Sequence, residues 1–464
     1  MTIPSWVENA VCYQIFPDRF ANGDHSIDPP NVESWGAPPT IRGYQGGDLE
    51  GIRQKLDYLA ELGINTLYLN PIFQSPSNHR YHTYDYYRID PWLGDMKAFK
   101  ALLKDAHQRK MHILLDGVFN HCARGFFAFS DILENDADSP YRNWFHVRRF
   151  PLRAYSPGHA RNYEAWWGMK PLPKFNTSNP AARRYLLDAA RYWIDEGADG
   201  WRLDVPNEID DDDFWAEFRS LVRSANPEAY LVGEIWNVWP RWANDTHFDG
   251  LMNYPLRTAL LDYLSGKITT LQFAEHVEML LTVYPRENVY AMLNLMDSHD
   301  TERALTYLGG DAHKVALAFQ FVFGYPGVPC VYYGDEVGLA GGKDPDSRRA
   351  FPWDEQTWNH DLRQHIQKLA AVRKDSPALT RGDYRPLLAS NTENCYAFAR
   401  IAAEETVIVA INGGGAAADI AVPVAGLLED QHPLHSLMDD RTATVEGGSI
   451  HLKLDAWSGI YLRA

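Results

Sequence analysis

From near the start of the chain to about residue 380, short apolar runs rich in β-branched residues alternate with helically periodic stretches. The runs Val11–Phe16, Ile64–Asn70, His112–Val118, Gly200–Val205, Tyr230–Ile235, Gly250–Tyr254, Val289–Leu295 and Val328–Tyr333 read as strands. Several are apolar throughout, the mark of parallel strands covered on both faces. Between them, apolar side chains recur with the helical period. In Leu49–Gly63 the residues Leu49, Ile52, Leu56, Leu59 and Leu62 share one stripe, and Gly63 stands where a glycine stops a helix. Met96–Lys110, Ala181–Gly197 and Asp213–Asn226 follow the same pattern, the last with Asp212 or Asp213 as its N-cap. Further helices are expected at Leu256–Gly266, Leu271–Val283, Ala312–Gly324 and Leu362–Lys374.

Eight strands alternating with eight helices predict an α/β fold, a (β/α)₈ barrel. An open doubly wound sheet is the alternative, but no GxGxxG follows the first strand. Two segments break the repeat. Phe119–Ser178 is far longer than an ordinary βα loop and carries Phe126, Phe127, Trp144, Phe145, Tyr163, Trp166 and Trp167, so a small subdomain is expected there. After about residue 383 the helical period gives way to alternating runs, Cys395–Ala402, Thr406–Asn412 and His451–Leu454, which predict an antiparallel β-domain. The expected division is a barrel over 1–118 and 179–382, a loop subdomain over 119–178, and a β-domain over 383–464.

Composition narrows the function. The formal net charge of -17 repels phosphate backbones and argues against a nucleic-acid partner. No run of 18 apolar residues predicts a membrane span. The N-terminus lacks the basic, apolar and small-residue sequence of a secretion signal. Cys12, Cys122, Cys330 and Cys395 are far apart, with no CxxC pair for zinc, and suit a reducing compartment; a cytoplasmic location is expected. Core packing accounts for most of the 15 Trp and 25 Tyr, and a sugar cleft would use the surplus.

In such a barrel, chemistry sits at the C-terminal ends of strands. The third strand ends in Asp116-Gly-Val-Phe-Asn120-His121, the fourth in Arg202-Leu-Asp204, the fifth in Gly233-Glu234, and the seventh runs into Asp297-Ser-His299-Asp300. Several strands therefore aim carboxylates at one mouth. Glycoside hydrolysis needs such a set: one carboxylate at the anomeric carbon and a second, of raised pKa, to protonate the leaving oxygen. Arg202 and Asp204 alternate onto one face, where the guanidinium favours an ionised carboxylate.

The motifs DGVFNH (116–121), GWRLDVPNE (200–208), GEIW (233–236) and SHDTER (298–303) resemble the α-amylase family of glycoside hydrolases. LPKFN (172–176), YQIFPDRFANGD near the start, RYHTYDYYRIDP (80–91) and DPDSRRAFPWD (344–354) add to the likeness. The neopullulanases, cyclomaltodextrinases and maltogenic amylases are the most similar subgroup, and the resemblance spans essentially the whole chain. It implies Asp204 as nucleophile, Glu234 as general acid/base and Asp300 as transition-state stabiliser. Configuration would be retained, consistent with carboxyls ~5–5.5 Å apart. It further implies sugar contacts at Tyr81, His82, His121, Arg202 and His299 around the −1 unit. Asp344 and Arg348 would lie at −2, with Asn207, Glu208 and Trp236 on the +1 side.

Asn22, Asp24, Gly46 and Asp48 match positions that hold calcium in relatives, with ordinary turn chemistry as the competing reading. Asn120 resembles a second calcium ligand. No organic cofactor is expected. The partner is an α-glucan oligosaccharide, with monomer and homo-oligomer equally open.

The chain departs from the subgroup at Pro206, usually Ala, at Asn237-Val238, and in a first strand that begins by residue 11, where relatives carry an N-terminal β-domain. A glucan-rearranging transferase or a trehalose-forming isomerase on the same machinery stays open. A non-catalytic sugar-binding barrel is the remaining alternative.

Overall fold

The computed structural model describes residues 3–464. Its first sheet consists of β1 (Cys12–Ile15), β2 (Thr66–Leu69), β3 (His112–Gly117), β4 (Gly200–Leu203), β5 (Tyr230–Gly233), β6 (Gly250–Leu251), β7 (Leu293–Leu295) and β8 (Val328–Tyr332). Every pairing is parallel and follows chain order, with β8 returning to β1. A single bridge, Met252 to Leu293, joins β6 to β7 and closes the ring. The expected barrel is therefore present, with its helices on the outside.

The strands' period of two sorts their side chains. Cys12, Tyr68, Leu114, Tyr230, Val232, Leu293, Leu295, Val328 and Cys330 pack together as the barrel's interior. Tyr13, Ile15, Leu67, Leu69, Ile113 and Leu115 belong to the larger layer beneath the helices. The next inward position along each strand leads to the mouth.

Three details differ from expectation. The stripe Leu49–Gly63 forms two helices, Leu49–Gln54 and Leu56–Glu61, with Lys55 between them. The Lys55 amide bonds three residues back to Ile52, and its ammonium lies 3.9 Å from the centroid of Trp353, an attraction that holds the break. Gly63 ends the second helix at φ +90, as expected. The helix Asp212–Ala225 is capped by Asp211, not Asp212 or Asp213: Asp211 keeps an extended backbone and accepts from the Phe214 amide, while Asp212 and Asp213 already lie in the first turn. The start of the expected run Val289–Leu295 instead lies in a helical turn, Arg286–Tyr290, where Asn288 donates to the backbone of Phe248 and Asp249. A short hairpin, Phe73–Gln74 with Asp85–Ile89, lacked a sequence signal.

Phe119–Ser178 leaves β3 and returns with one helix, Phe127–Asn135, and short turns held by isolated bridges such as His121 to Lys174 and Ala165 to Pro173. Beyond the barrel, eight antiparallel strands from Asp383 to Arg463 form one sheet. Arg400 on one of them donates to the Gly324 carbonyl at 2.6 Å, a buried backbone acceptor through which the sheet is fastened to the barrel. All four cysteines are free and buried. Among the described residues no helix is long and apolar enough to cross a membrane.

Candidate active site

A cleft of about 660 Å³ opens at the C-terminal mouth of the barrel, lined by Tyr81, His121, Asp204, Glu234, His299 and Asp300 among others. Its floor is organised by Arg202, which is fully buried. One guanidinium nitrogen lies 2.8 Å from Asp116 Oδ1 and 3.1 Å from Asp204 Oδ1; the other lies 2.9 Å from Glu234 Oε2. Three carboxylates from three neighbouring strands thus converge on one cation. Asp116 is further fixed by the hydroxyls of Tyr68 and Tyr81, each donating to Oδ2 at 2.7 Å.

Just past β4 the chain makes a strained turn. Val205 has φ +35 and ψ +53, a left-handed conformation rare for a β-branched residue and one that costs on the order of 1–3 kcal/mol. The turn aims the Val205 N–H at Glu234 Oε2, at 2.9 Å, and Pro206 follows at once to begin a short turn. The indole N–H of Trp236 donates to the other Glu234 oxygen at 3.1 Å. Trp236 is itself held flat against Tyr254, with ring centroids 3.8 Å apart.

On the opposite wall, His299 Nδ1 faces the side-chain amides of Gln14 at 2.9 Å and Asn70 at 3.2 Å. Both donate, so Nδ1 is the acceptor and the ring proton sits on Nε2, 3.0 Å from Asp300 Oδ2. Asp300 also meets Arg348 at 3.2 Å, and Arg348 continues to Asp344 at 3.1 Å. Tyr81 lies parallel to His299, centroids 5.2 Å apart, and its hydroxyl accepts from Asn70. His121 Nδ1 faces the Asn120 amide at 3.1 Å, which leaves its unpartnered Nε2 carrying a proton for a ligand oxygen.

These surroundings set the charges. Burial pushes the Glu234 carboxyl up to about 7, against the pull of Arg202 and with the nearby Asp300 charge adding to the rise. Asp204 is raised by burial and by Glu234, again opposed by Arg202. The two titrate as a pair, so a proton kept on Glu234 lets Asp204 ionise beside the guanidinium. Asp300 is raised by burial and held back by Arg348 and Arg202. Burial lowers His82 to about 4 and His121 to about 3, and lowers His299 as well; all three rings are neutral near pH 7.

Of the sequence-derived site residues, Tyr81, His82, His121, Asp204, Glu234, Trp236, His299, Asp300, Asp344 and Arg348 line this cleft, with Arg202 beneath it. Asn207 and Glu208 do not. Glu208 pairs with Lys174 at 3.1 Å in a separate, more polar depression of about 700 Å³ that also contains Asn120. Sequence reading gave no role to Gln14, Tyr68 or Asn70; strand alternation could have pointed to all three.

Among the described residues, no group of three or more His, Cys, Asp or Glu side chains is arranged to hold a metal. At the expected calcium positions, Asp48 accepts from the amides of Gly23, Asp24 and Gly51, and Asp24 caps a turn at Ser26. Asn22 donates to Asp28, and its buried Oδ1 has no partner. Gly46 crowds these groups: a Cβ there would lie 2.5 Å from Asp28 Oδ1. One orphaned hard oxygen beside two carboxylates fits a calcium ion in part; the turn bonds account for the remaining donors.

A model of the α-amylase catalytic domain matches residues 14–378. The chain is 45% identical over 424 residues to a cyclomaltodextrinase of Geobacillus thermopakistaniensis, covering 91% of this chain and 71% of that one. To neopullulanase 2 of Thermoactinomyces vulgaris it is 44% identical, covering 89% of this chain and 71% of that one. Among solved structures, the cyclic α-maltosyl-(1→6)-maltose hydrolase of Arthrobacter globiformis superposes with a TM-score of 0.91 at 40% identity, with both chains covered in full. With the barrel, the three-acid cleft and these relatives in agreement, the chain belongs to the α-amylase family of glycosidases.

Proposed function

We propose that the chain hydrolyses α-1,4-glucosidic bonds in maltooligosaccharides, cyclodextrins or pullulan, with some α-1,6 cleavage, by retaining double displacement. The observation that carries this reading is the single buried guanidinium shared by Asp204 and Glu234. Both carboxylates reach one cation and so face the same reacting centre, and retention is the mechanism of the α-amylase family to which the chain belongs. The relatives' names, cyclomaltodextrinase and neopullulanase, supply the substrate class.

In this reading Asp204, ionised beside Arg202, attacks the anomeric carbon of the −1 glucosyl unit. Glu234 delivers its proton to the glycosidic oxygen as the C–O bond breaks. The leaving sugar departs over Trp236, on the Glu234 side of the cleft. Glu234, now a carboxylate, takes a proton from water, whose oxygen displaces Asp204 and restores the original configuration. Asp300 and the Nε2 protons of His299 and His121 hold ring hydroxyls, and Tyr81 stacks beneath the ring. A sugar hydroxyl that replaces water at the second step turns hydrolysis into transfer. A calcium ion at Asn22 and Gly46 would tie two loops together and take no part in these steps. A cytoplasmic location belongs to the same proposal, supported by the four free thiols.

A time course of products from maltotriose, β-cyclodextrin and pullulan tests the reading. Ring opening of cyclodextrin, with panose from pullulan, is the expected result. Longer oligosaccharides accumulating from maltotriose, with little glucose or maltose, would replace hydrolase by transferase.

A further inference from the structure

Tyr81, Trp166, Trp167 and Trp236 line the cleft, and the steps above use two of them: Tyr81 on the floor and Trp236 beside Glu234. Trp167 lies in the segment that follows β3 and is 73% exposed. Its ring is not loose. Trp167 stacks on Trp166 with centroids 4.5 Å apart and planes 14° from parallel, and Trp166 stacks on His121 at 5.2 Å and 17°. A column of three parallel rings therefore rises from the buried histidine to the rim, and the outer face of its last ring is open.

The backbone beneath that ring is strained. Trp167 sits at φ +48 and ψ +24, a left-handed conformation that suits glycine and disfavours a bulky side chain. The neighbouring hydrogen bonds impose it. Trp166 donates to Leu172 O at 2.9 Å, Gly168 to Ala165 O at 2.8 Å, Met169 to Trp166 O at 2.9 Å, and Ala160 to Gly168 O at 2.8 Å. Gly168 follows at φ +69, where a Cβ would come within 3.0 Å of His159. Packing gives no reason for an indole at this position, since nothing covers its outer face, and the backbone would accept glycine with less strain. Strain that its surroundings enforce and packing does not repay gathers at sites of function.

We infer that Trp167 is a stacking platform for a glucosyl unit beyond the two flanking the scissile bond, and that it sets the preference for long or cyclic glucans over short ones. The inference rests on the α-glucan reading above. The open indole face is flat and apolar, the surface that the C–H face of a pyranose ring covers. The −1 and +1 units already have Tyr81 and Trp236, so the occupant of Trp167 is a further unit of the same chain.

Steady-state kinetics of the wild type, Trp167→Gly and Trp167→Phe on maltotriose, maltohexaose and β-cyclodextrin test this. Glycine suits the turn, so the fold is expected to persist, with an unchanged or higher melting temperature. The expected result is a length-dependent loss in Trp167→Gly. Its kcat/KM falls about tenfold for maltohexaose and β-cyclodextrin, through KM, a loss equivalent to ~1.4 kcal/mol of binding. For maltotriose the fall is less than about twofold, and Trp167→Phe recovers most of the difference. Equal loss on all three substrates, or none, overturns the inference. Titration of maltohexaose into Glu234→Gln, with and without Trp167→Gly, reads binding apart from turnover. Tenfold weaker binding supports the platform and unchanged binding overturns it. A wild type that cleaves none of the three substrates would count against the functional reading alone.

Discussion

The floor and the rim of the cleft are built on opposite terms. At the floor, Arg202, Asp116, Glu234 and Asp204 are at most 9% exposed and come from strand ends whose positions the barrel fixes. Two of the carboxylates there have several partners: Asp116 holds a guanidinium and two tyrosine hydroxyls, and Glu234 a guanidinium, an amide and an indole, while Asp204 meets Arg202. At the rim, Trp167, Trp236 and Asp344 project from loops and meet solvent. Over-determination suits groups that must hold charge in a low-dielectric site before substrate arrives. Loop residues with open faces suit recognition, because changing one leaves the others in place.

Substitution should separate the two regions. Asp204→Asn and Glu234→Gln keep shape and remove function. The expected fall in kcat is about 10⁴–10⁶-fold for the first and about 10²–10⁴-fold for the second, with melting temperature little changed. Near-wild-type turnover in Asp204→Asn would move the chemistry off the floor altogether. Arg202→Met comes next. It leaves three carboxylates without their shared cation, and breaking such a buried pair costs about 3–5 kcal/mol. Chemical denaturation should show that loss, whereas Asp344→Ala, at the half-exposed rim, should cost under about 1 kcal/mol.

A smaller effect concerns proton supply. Glu234 acts as an acid only while protonated, and burial holds its carboxyl at about 7. Activity should therefore decline as pH rises through that value and recover below it, until Asp204 protonates in turn. The Trp236 N–H stabilises the ionised form of Glu234, so Trp236→Phe should shift the alkaline limb upward by about half a unit to one unit. A pH–rate profile with that limb unmoved would mean the indole bond does not tune the acid. The smallest effect is expected at Asn22, far from these charges. Chelation should lower the melting temperature by a few degrees without changing kcat, and Asn22→Ala should remove that response.

The same contrast explains what the sequence could convey. Floor residues obey a period of two along buried strands, so Asp204 follows Arg202 onto the inner face and Glu234 follows Val232. That alternation also predicts Gln14 after Cys12 and Asn70 after Tyr68, the two amides that fix the His299 proton. Rim residues obey no period. Asn207 and Glu208, two and three residues past the strained Val205, are named only through the resemblance, as +1-side residues, and the turn pairs Glu208 with Lys174. Trp167 was visible only as one of many aromatics, because its stacking partners and backbone angles exist only once the loop has folded. The apolar run Val289–Leu295 misled for a related reason, since continuous hydrophobicity marks burial and not the choice between helix and strand.

The division of labour is tested most directly by trapping the enzyme with a 2-deoxy-2-fluoro-α-glucosyl fluoride or its maltosyl analogue, then sequencing the labelled peptide by mass spectrometry. The expected result is one sugar adduct per chain, on the peptide that contains Gly200–Glu208, at Asp204. An adduct on Glu234 or Asp300, or turnover without any covalent species, would contradict it.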